Sequence, residues 1–453
     1  MEYRSLFRAL AALLSIVSAF MLACLGAGFA LGEGAVALRS FLPPILASGL
    51  LLALTNLGAR ENVSLSARAG YLFVTLAWVS ASVLGAAPFV LSGFIPSIPD
   101  ALFETMSGFT TTGATILSNI EALPRSLLLW RATTHWLGGM GIVVLTVAIF
   151  PLLGINGRAL MEAESPGPSV DKFTPRLSQT AMILWLIYLG MTVVCAALLM
   201  AGGMDAIDAV CHAFAAMATG GFSTMNASVA AFHSAYIDVV LTVFMVLAGS
   251  NFAIFWRVMT GKFKTAFRDS EWLTYLAIFA VASLLIASNC LRAGAYASFG
   301  ESLRYAAFQA ATILTTTGFA TADYLQWPHF SQTVIFVLML IGGCAGSTAG
   351  GPKVGRIITL FKMGLSEMRV LINPRGVYGI FVNKQYMKKG IVYDIAAMVF
   401  LYFGFAIVST LVVSFAGYDI ITSLTATFAT LGNIGPGFHL VGPMFNYGFF
   451  PDW

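Results

Sequence analysis

Charge is the scarcest property of this chain. Of its 453 residues only 10% are Asp, Glu, Lys or Arg, while 58% are hydrophobic, and the mean hydropathy is +0.85. A water-facing domain carries about 25% charged residues, so a soluble globular protein is excluded. Cysteine is sparse as well. Cys24, Cys195, Cys211, Cys290 and Cys344 lie far apart, mostly in apolar segments, with no CxxC pair. That pattern speaks against a disulfide framework or a zinc site and for small buried hydrophobes. A Walker loop, a GxGxxG and a catalytic triad are all missing. His135, His212, His233, His329 and His439 do not cluster, as a membrane-embedded enzyme would require. The alternating segments of a transmembrane β-barrel are missing too. Neither an enzyme nor a nucleic-acid partner is expected.

Apolar runs of roughly 20 residues, the length a bilayer core demands of a helix, recur along the whole chain. Spans are predicted near 6–31, 41–58, 69–93, 126–152, 180–201, 233–259, 272–292, 331–365 (interrupted) and 391–416. The first run is longer than a signal-peptide core and a second span follows at once, so it is read as a retained span. Shorter, half-polar segments fall at 99–120, 205–226, 301–322 and 419–440. The predicted fold is therefore an all-α polytopic membrane protein with pseudo-fourfold symmetry. An N-terminal two-helix hairpin (1–60) precedes four repeats of outer helix, short pore helix and second helix, M1–P–M2. Their boundaries are 61–155, 156–262, 263–372 (with a broken M2) and 373–453, the last read as lacking its M2.

The short segments stack on their glycines. "FETMSGFTTTG" ends at Gly113, "CHAFAAMATGG" at Gly221, "FQAATILTTTG" at Gly318 and "TATFATLGNIG" at Gly435, with Gly220 and Gly432 as slipped alternatives. Nine residues before each glycine stand Glu104, His212, Gln309 and Ala426, polar in three of four. Lysine and arginine placement sets the orientation. With the N-terminus inside, 19 of the 24 lie on the inner side, and Arg39, Arg125, Arg131, Arg292 and Arg304 lie outside with all four glycine segments.

Non-helical backbone at membrane depth survives only where it is buried in protein or lines a wet cavity. Thr111, Thr112 and Gly113, Thr219, Gly220 and Gly221, Thr316, Thr317 and Gly318, and Asn433, Ile434 and Gly435 are thus candidate carbonyl donors to a dehydrated cation. One threonine–glycine run alone would be turn chemistry in a re-entrant or extracellular loop. Four matched runs after successive spans favour a pore, and would be wasted in a structural scaffold. A second irregular stretch, "GGCAGSTAGGPK" (342–353), holds Gly342, Gly343, Gly346, Gly350, Gly351 and Lys353. A close helix–helix contact of small residues would also use such a stretch, but it is read as a flexible intramembrane loop under the filter, a candidate gate. Lys353 and Arg356 suit a snorkelling role as well as a gating one. His135, Arg131, Asn251 and Asp238 read first as buried pairs or interfacial groups, and Glu104 as an anchor for the first pore helix.

Together "TTGAT", "ATGGFST", "TTTGFAT", "GNIGPG" and the "GGCAGSTAGG" loop resemble the Trk/Ktr/HKT superfamily of cation transporters, in its bacterial Trk-type potassium-uptake branch, over essentially the whole chain. The resemblance implies one pore per protomer in a homodimer, and K+ as the transported ion at the filter residues with no organic cofactor. It also implies a cytosolic nucleotide-binding regulatory ring of the TrkA type, and contact with membrane lipid in the bacterial inner membrane with the N-terminus cytoplasmic. Glycine rather than serine at the first filter position, here Gly113, goes with potassium selectivity in that superfamily. A sodium-conducting member, or a sodium- or proton-coupled symporter, is the alternative. The family has a closing M2 after its fourth filter; here no apolar run follows "GPMFNYGFFPDW".

Overall fold

The computed structural model describes residues 2–56, 67–141, 177–383 and 385–451. Its contacts divide into two compact units, Met1–Asn226 with Tyr447–Trp453, and Ala227–Asn446.

In the first unit, helices α1 (Glu2–Ala30) and α2 (Gly34–Asn56) fold back on each other, joined across the pair by a 2.6 Å bond between the Ser18 and Ser48 hydroxyls. They are followed by α3 (Ala67–Ser92), the short α4 (Ile98–Phe109), α5 (Arg125–Gly139), α6 (Leu177–Ala201) and the short α7 (Ala206–Met217). The second unit begins with α8 (Ala235–Ala248), α9 (Phe252–Met259), α10 (Phe263–Ala266), α11 (Ser270–Arg292) and the short α12 (Phe299–Leu314). It continues through α13 (His329–Met339), α14 (Val354–Ile372), α15 (Lys389–Phe415) and the short α16 (Ile420–Leu431). The strand pairing among the described residues is one small hairpin, β1 (Phe381–Val382) against β2 (Gln385–Tyr386). This is a polytopic helical membrane protein, as predicted.

Among the described residues six helices are long and apolar enough to cross a bilayer: Leu6–Ala30, Gly34–Thr55, Ala69–Ser92, Gln179–Ala201, Ser270–Arg292 and Lys389–Phe415. They present large apolar side chains outward, Leu22, Leu50, Val83, Leu186, Leu285, Phe400 and Val412 among them. Water would penalise such a surface and lipid solvates it. α15 shows this most clearly, being apolar on every side and mostly unpacked.

One predicted span is broken, and the described part of a second ends its helix early. The stretch 233–259 was expected as one helix, but α8 and α9 meet at an angle of 94°. Gly249 ends α8 where a side chain would strike the Tyr275 hydroxyl (2.6 Å) and Thr315 Cγ2 (2.8 Å). Asn251 then restarts the chain as an N-cap, accepting from the Ala253 amide at 2.8 Å. The stretch 126–152 likewise yields a helix that stops at Gly139, and Gly141 follows with φ +69°. Residues 142–152 lie outside the described residues, as do the predicted inner-side cations Arg60, Arg158, Lys172, Arg176 and Lys384. The interruption predicted in 331–365 is present, as the loop between α13 and α14.

The four short helices share one start signal. Ser97, Asp205, Ser298 and Asp419 are their N-caps, and each side chain accepts from a backbone amide of the first turn. Asp419 is fixed most firmly, accepting from Ile421 and Thr422 amides at 3.0 Å each. The Thr422 hydroxyl and amide, with His439 beside them, hold its carboxyl down at about 2. Ser298 with Glu301 at the third position has the residues of a capping box. Ser298→Ala leaves the Glu301 amide without its 3.2 Å partner. We expect it to lower unfolding stability by about 1 kcal/mol, read from thermal unfolding in detergent micelles.

Candidate functional site

Each short helix also ends in the same way. After Thr110, Ala218, Thr315 and Gly432, the next residue turns left-handed: Thr111 (φ 57°), Thr219 (φ 53°), Thr316 (φ 55°) and Asn433 (φ 54°). Two residues later Gly113, Gly221, Gly318 and Gly435 again have positive φ, between 77° and 92°. The amides repeat the pattern. Thr111, Thr219, Thr316 and Asn433 donate three residues back, and Thr112, Gly220, Thr317 and Ile434 donate five residues back, at 2.7–3.2 Å. This double bond set is the Schellman closure, in which the left-handed position is usually glycine. Three β-branched threonines there cost about 1–2 kcal/mol each. The common geometry picks the register of Gly113, Gly221, Gly318 and Gly435 over the slipped alternatives.

Past the glycine the chain runs back along its helix and is tied to it. In the first segment the buried Glu104 carboxylate accepts from the Thr115 hydroxyl (3.0 Å to both oxygens) and the Ile116 amide (3.1 Å). In the second, His212 Nε2 pairs with the Ser223 hydroxyl at 2.9 Å. In the third, Gln309 donates to the Ala322 carbonyl at 3.1 Å. In the fourth, where the matching residue is Ala426, the neighbouring Thr425 hydroxyl accepts from the Phe438 amide at 2.9 Å. The anchoring role expected of Glu104 therefore has a counterpart in every segment.

Within the first unit, α5 is wedged between two segment ends. A side chain on Gly138 would fall on the Phe109 carbonyl, and one on Gly139 on Ala218 (Cα 2.5 Å). From the same helix Arg131, 2% exposed, donates through Nε to Glu104 at 2.5 Å and through Nη1 to the Ser223 carbonyl at 2.8 Å. Its guanidinium lies 3.5 Å over the Phe222 ring, and His135 stacks on the same ring with centroids 3.9 Å apart. Arg131 is thus buried and paired, the first of the two readings the sequence allowed, and not an interfacial cation.

Within the second unit, the third and fourth segments touch directly: a side chain on Gly318 would meet the Ile434 carbonyl and Pro436 Cδ (3.1 Å). The glycine-rich loop lies against both. The Gly350 amide donates to the Thr316 hydroxyl at 2.6 Å, and a side chain on Gly350 would collide with the Gly432 carbonyl. Gly342 and Gly351, with positive φ, pack against each other. The loop is tied at its other side to the break in 233–259, through Cys344 N to Gly249 O (2.9 Å) and Phe252 N to Gly346 O (3.0 Å). Glu271, at the start of α11, accepts from the Ala345 amide (2.7 Å) and the Gly355 amide (2.9 Å), holding both ends. Lys353 folds its ammonium onto the Ala349 carbonyl. Sequence reasoning missed Glu271. It sits at a span boundary, where a charge reads as topology alone.

Four short helices in a membrane protein, each closed by the same left-handed turn and followed by a chain that runs back along it, have the architecture of a transport protein. The chain belongs to the TrkH family, described as cation transport protein, whose model matches residues 37–451. It is 39% identical over 389 residues to the Trk system potassium uptake protein TrkH of Escherichia coli (strain K12), covering 85% of this chain and 80% of that one. With the protein of the same name from Vibrio parahaemolyticus it shares 36% over 449 residues, covering 96% and 91%. The crystal structure of the potassium transporter TrkH from Vibrio parahaemolyticus superposes with a TM-score of 0.87 at 33% identity, covering 100% of this chain and 94% of that chain.

Gly318 combines positive φ with a carbonyl where a side chain would sit. We expect Gly318→Ala to destabilise the protein by about 1–3 kcal/mol and to abolish cation flux, measured by thermal unfolding of the purified protein and by tracer uptake into proteoliposomes.

Proposed function

We propose that this chain takes up potassium through a channel-like pore. Its filter is formed by Thr111–Gly113, Thr219–Gly221, Thr316–Gly318 and Asn433–Gly435, whose backbone carbonyls face the ion. The observation that carries the reading is the fourfold recurrence of one strained helix end followed by a left-handed glycine. Rings of carbonyls replace the hydration shell of K+ in such filters, and the negative ends of the short helices add to the attraction. The potassium-uptake names of the relatives support the choice of ion.

The loop Gly342–Lys353 is proposed as the gate, since it lies against the turn at Thr316 and against Gly432. On this reading it closes the path below the filter and a cytosolic nucleotide-binding ring moves it. Basic residues of 257–271 and 353–389 would offer that partner its docking face. The chain would act as a homodimer in the bacterial inner membrane with its N-terminus in the cytoplasm, as the lysine and arginine bias suggests.

In rubidium uptake into proteoliposomes with sodium as competitor, Gly113→Ser is expected to reduce the preference for rubidium. Gly113→Asp is expected to abolish uptake, and Gly202→Ser, in the link between α6 and α7, to change little. An unaltered ion preference in Gly113→Ser would falsify the filter assignment, and sodium uptake equal to rubidium uptake by the parent would favour the sodium-conducting alternative. For the gate, Glu271→Ala frees two loop amides, each worth a factor of about 2–10 in an equilibrium. Basal uptake without any cytosolic partner is expected to rise by a comparable factor; unchanged or lower uptake would count against a holding role.

A further inference from the structure

Each unit contains a donor that grips the same carbonyl. In the first unit Arg131 Nη1 donates to the carbonyl of Ser223, two residues past Gly221, at 2.8 Å. In the second unit the Tyr324 hydroxyl donates to the carbonyl of Gly437, two residues past Gly435, at 2.5 Å. Both donors belong to the preceding, odd-numbered repeat. One comes from a helix and the other from the 3-10 turn Tyr324–Gln326, and they share neither chemistry nor local structure. Both are sealed from solvent, Arg131 at 2% and Tyr324 at 0% exposure. A common register position reached by two unrelated side chains points to a requirement at the carbonyl and not to an inherited packing motif.

Each donor is itself immobilised. Arg131 is paired through Nε with Glu104, the two side chains being 3% and 0% exposed, and Glu104 grips Thr115 and Ile116 of the first segment. Moving the second returning strand therefore means dragging a buried charge away from its only nearby counter-charge among the described residues, which is costly. The Tyr324 ring lies 5.2 Å from that of Phe438, whose amide is held by Thr425.

We propose that Arg131 and Tyr324 are positioning residues for ion selectivity. By pinning the carbonyl two residues beyond the glycine, each restrains the peptide planes of the adjacent filter stretch, Thr219–Gly221 or Asn433–Gly435. Those carbonyls then cannot swing inward to contract around a smaller ion. The proposal rests on the filter reading of these stretches. Neither residue touches the ion; each acts through the neighbouring strand.

Two conservative variants test it. Tyr324→Phe removes only the hydroxyl. Arg131→Lys keeps a positive charge opposite Glu104 but loses the planar fork that reaches Ser223. Tyr296→Phe, whose half-buried hydroxyl accepts from Trp327 Nε1 at 3.0 Å, is the control for a lost phenol hydrogen bond. Rubidium and sodium fluxes into proteoliposomes are compared for these, the parent and Gly113→Ser. The expected result is a drop of about two- to tenfold in the rubidium-over-sodium ratio for Tyr324→Phe and Arg131→Lys, the factor one net hydrogen bond supplies. Total cation flux is expected to stay near that of the parent, and Tyr296→Phe to stay unshifted. An unchanged ratio in both variants, or a parallel fall of both fluxes at constant ratio, overturns the proposal if Gly113→Ser does shift the ratio. Should Gly113→Ser leave it unchanged, the filter reading fails first and the proposal falls with it.

Discussion

A helix that stops inside a membrane leaves its last carbonyls without partners, and lipid has no hydrogen to donate to them. The rest of this structure depends on how four such ends are closed. All four use the Schellman turn, and three put threonine in the left-handed position where glycine would cost nothing sterically. The strain has a return in the third segment, where the Thr316 hydroxyl accepts from the Gly350 amide. Glycine at that site would relax the turn and leave the loop's amide without its partner. In the second segment the Thr219 hydroxyl bonds the Ala218 carbonyl at 2.6 Å instead. In these two segments the strained threonine bonds a backbone group that a glycine there could not.

The few charges follow the same logic. Ionisable groups inside a membrane are expensive and survive when paired. Glu104 and Arg131 are consumed by each other and by the backbone of two segments. Glu271 is consumed by two amides of the glycine-rich loop. In a chain with 10% charged residues, these three serve as struts for irregular backbone.

Much of this was legible in the sequence because it is written in periodic or repeated features. The long apolar spans, the four half-polar segments, the glycine register and the interruption before Lys353 all follow from patterns that recur or run on for many residues. What was missed depends on single residues in ordinary surroundings. The bend at Gly249–Asn251 lies in a stretch whose overall hydropathy passes for one span, and only the proximity of Tyr275 and Thr315 shows why the helix stops. α5 ends at Gly139 in the glycine run 138–141, whose breaking signal the apolar length of 126–152 masks, and two segment ends press on Gly138 and Gly139. The N-caps Ser97, Asp205, Ser298 and Asp419 were not singled out in the sequence; they mark the starts of short helices and say nothing about the turns at their ends.

The central claim is that the four turns present their carbonyls to one dehydrated potassium-sized cation. Crystals of the protein grown in rubidium, measured at the rubidium absorption edge, address it most directly. The account predicts an anomalous peak bounded by backbone carbonyls from all four of Thr111–Gly113, Thr219–Gly221, Thr316–Gly318 and Asn433–Gly435. A peak held by side-chain carboxylates elsewhere, or one reached by the carbonyls of only one or two of these stretches, would contradict it.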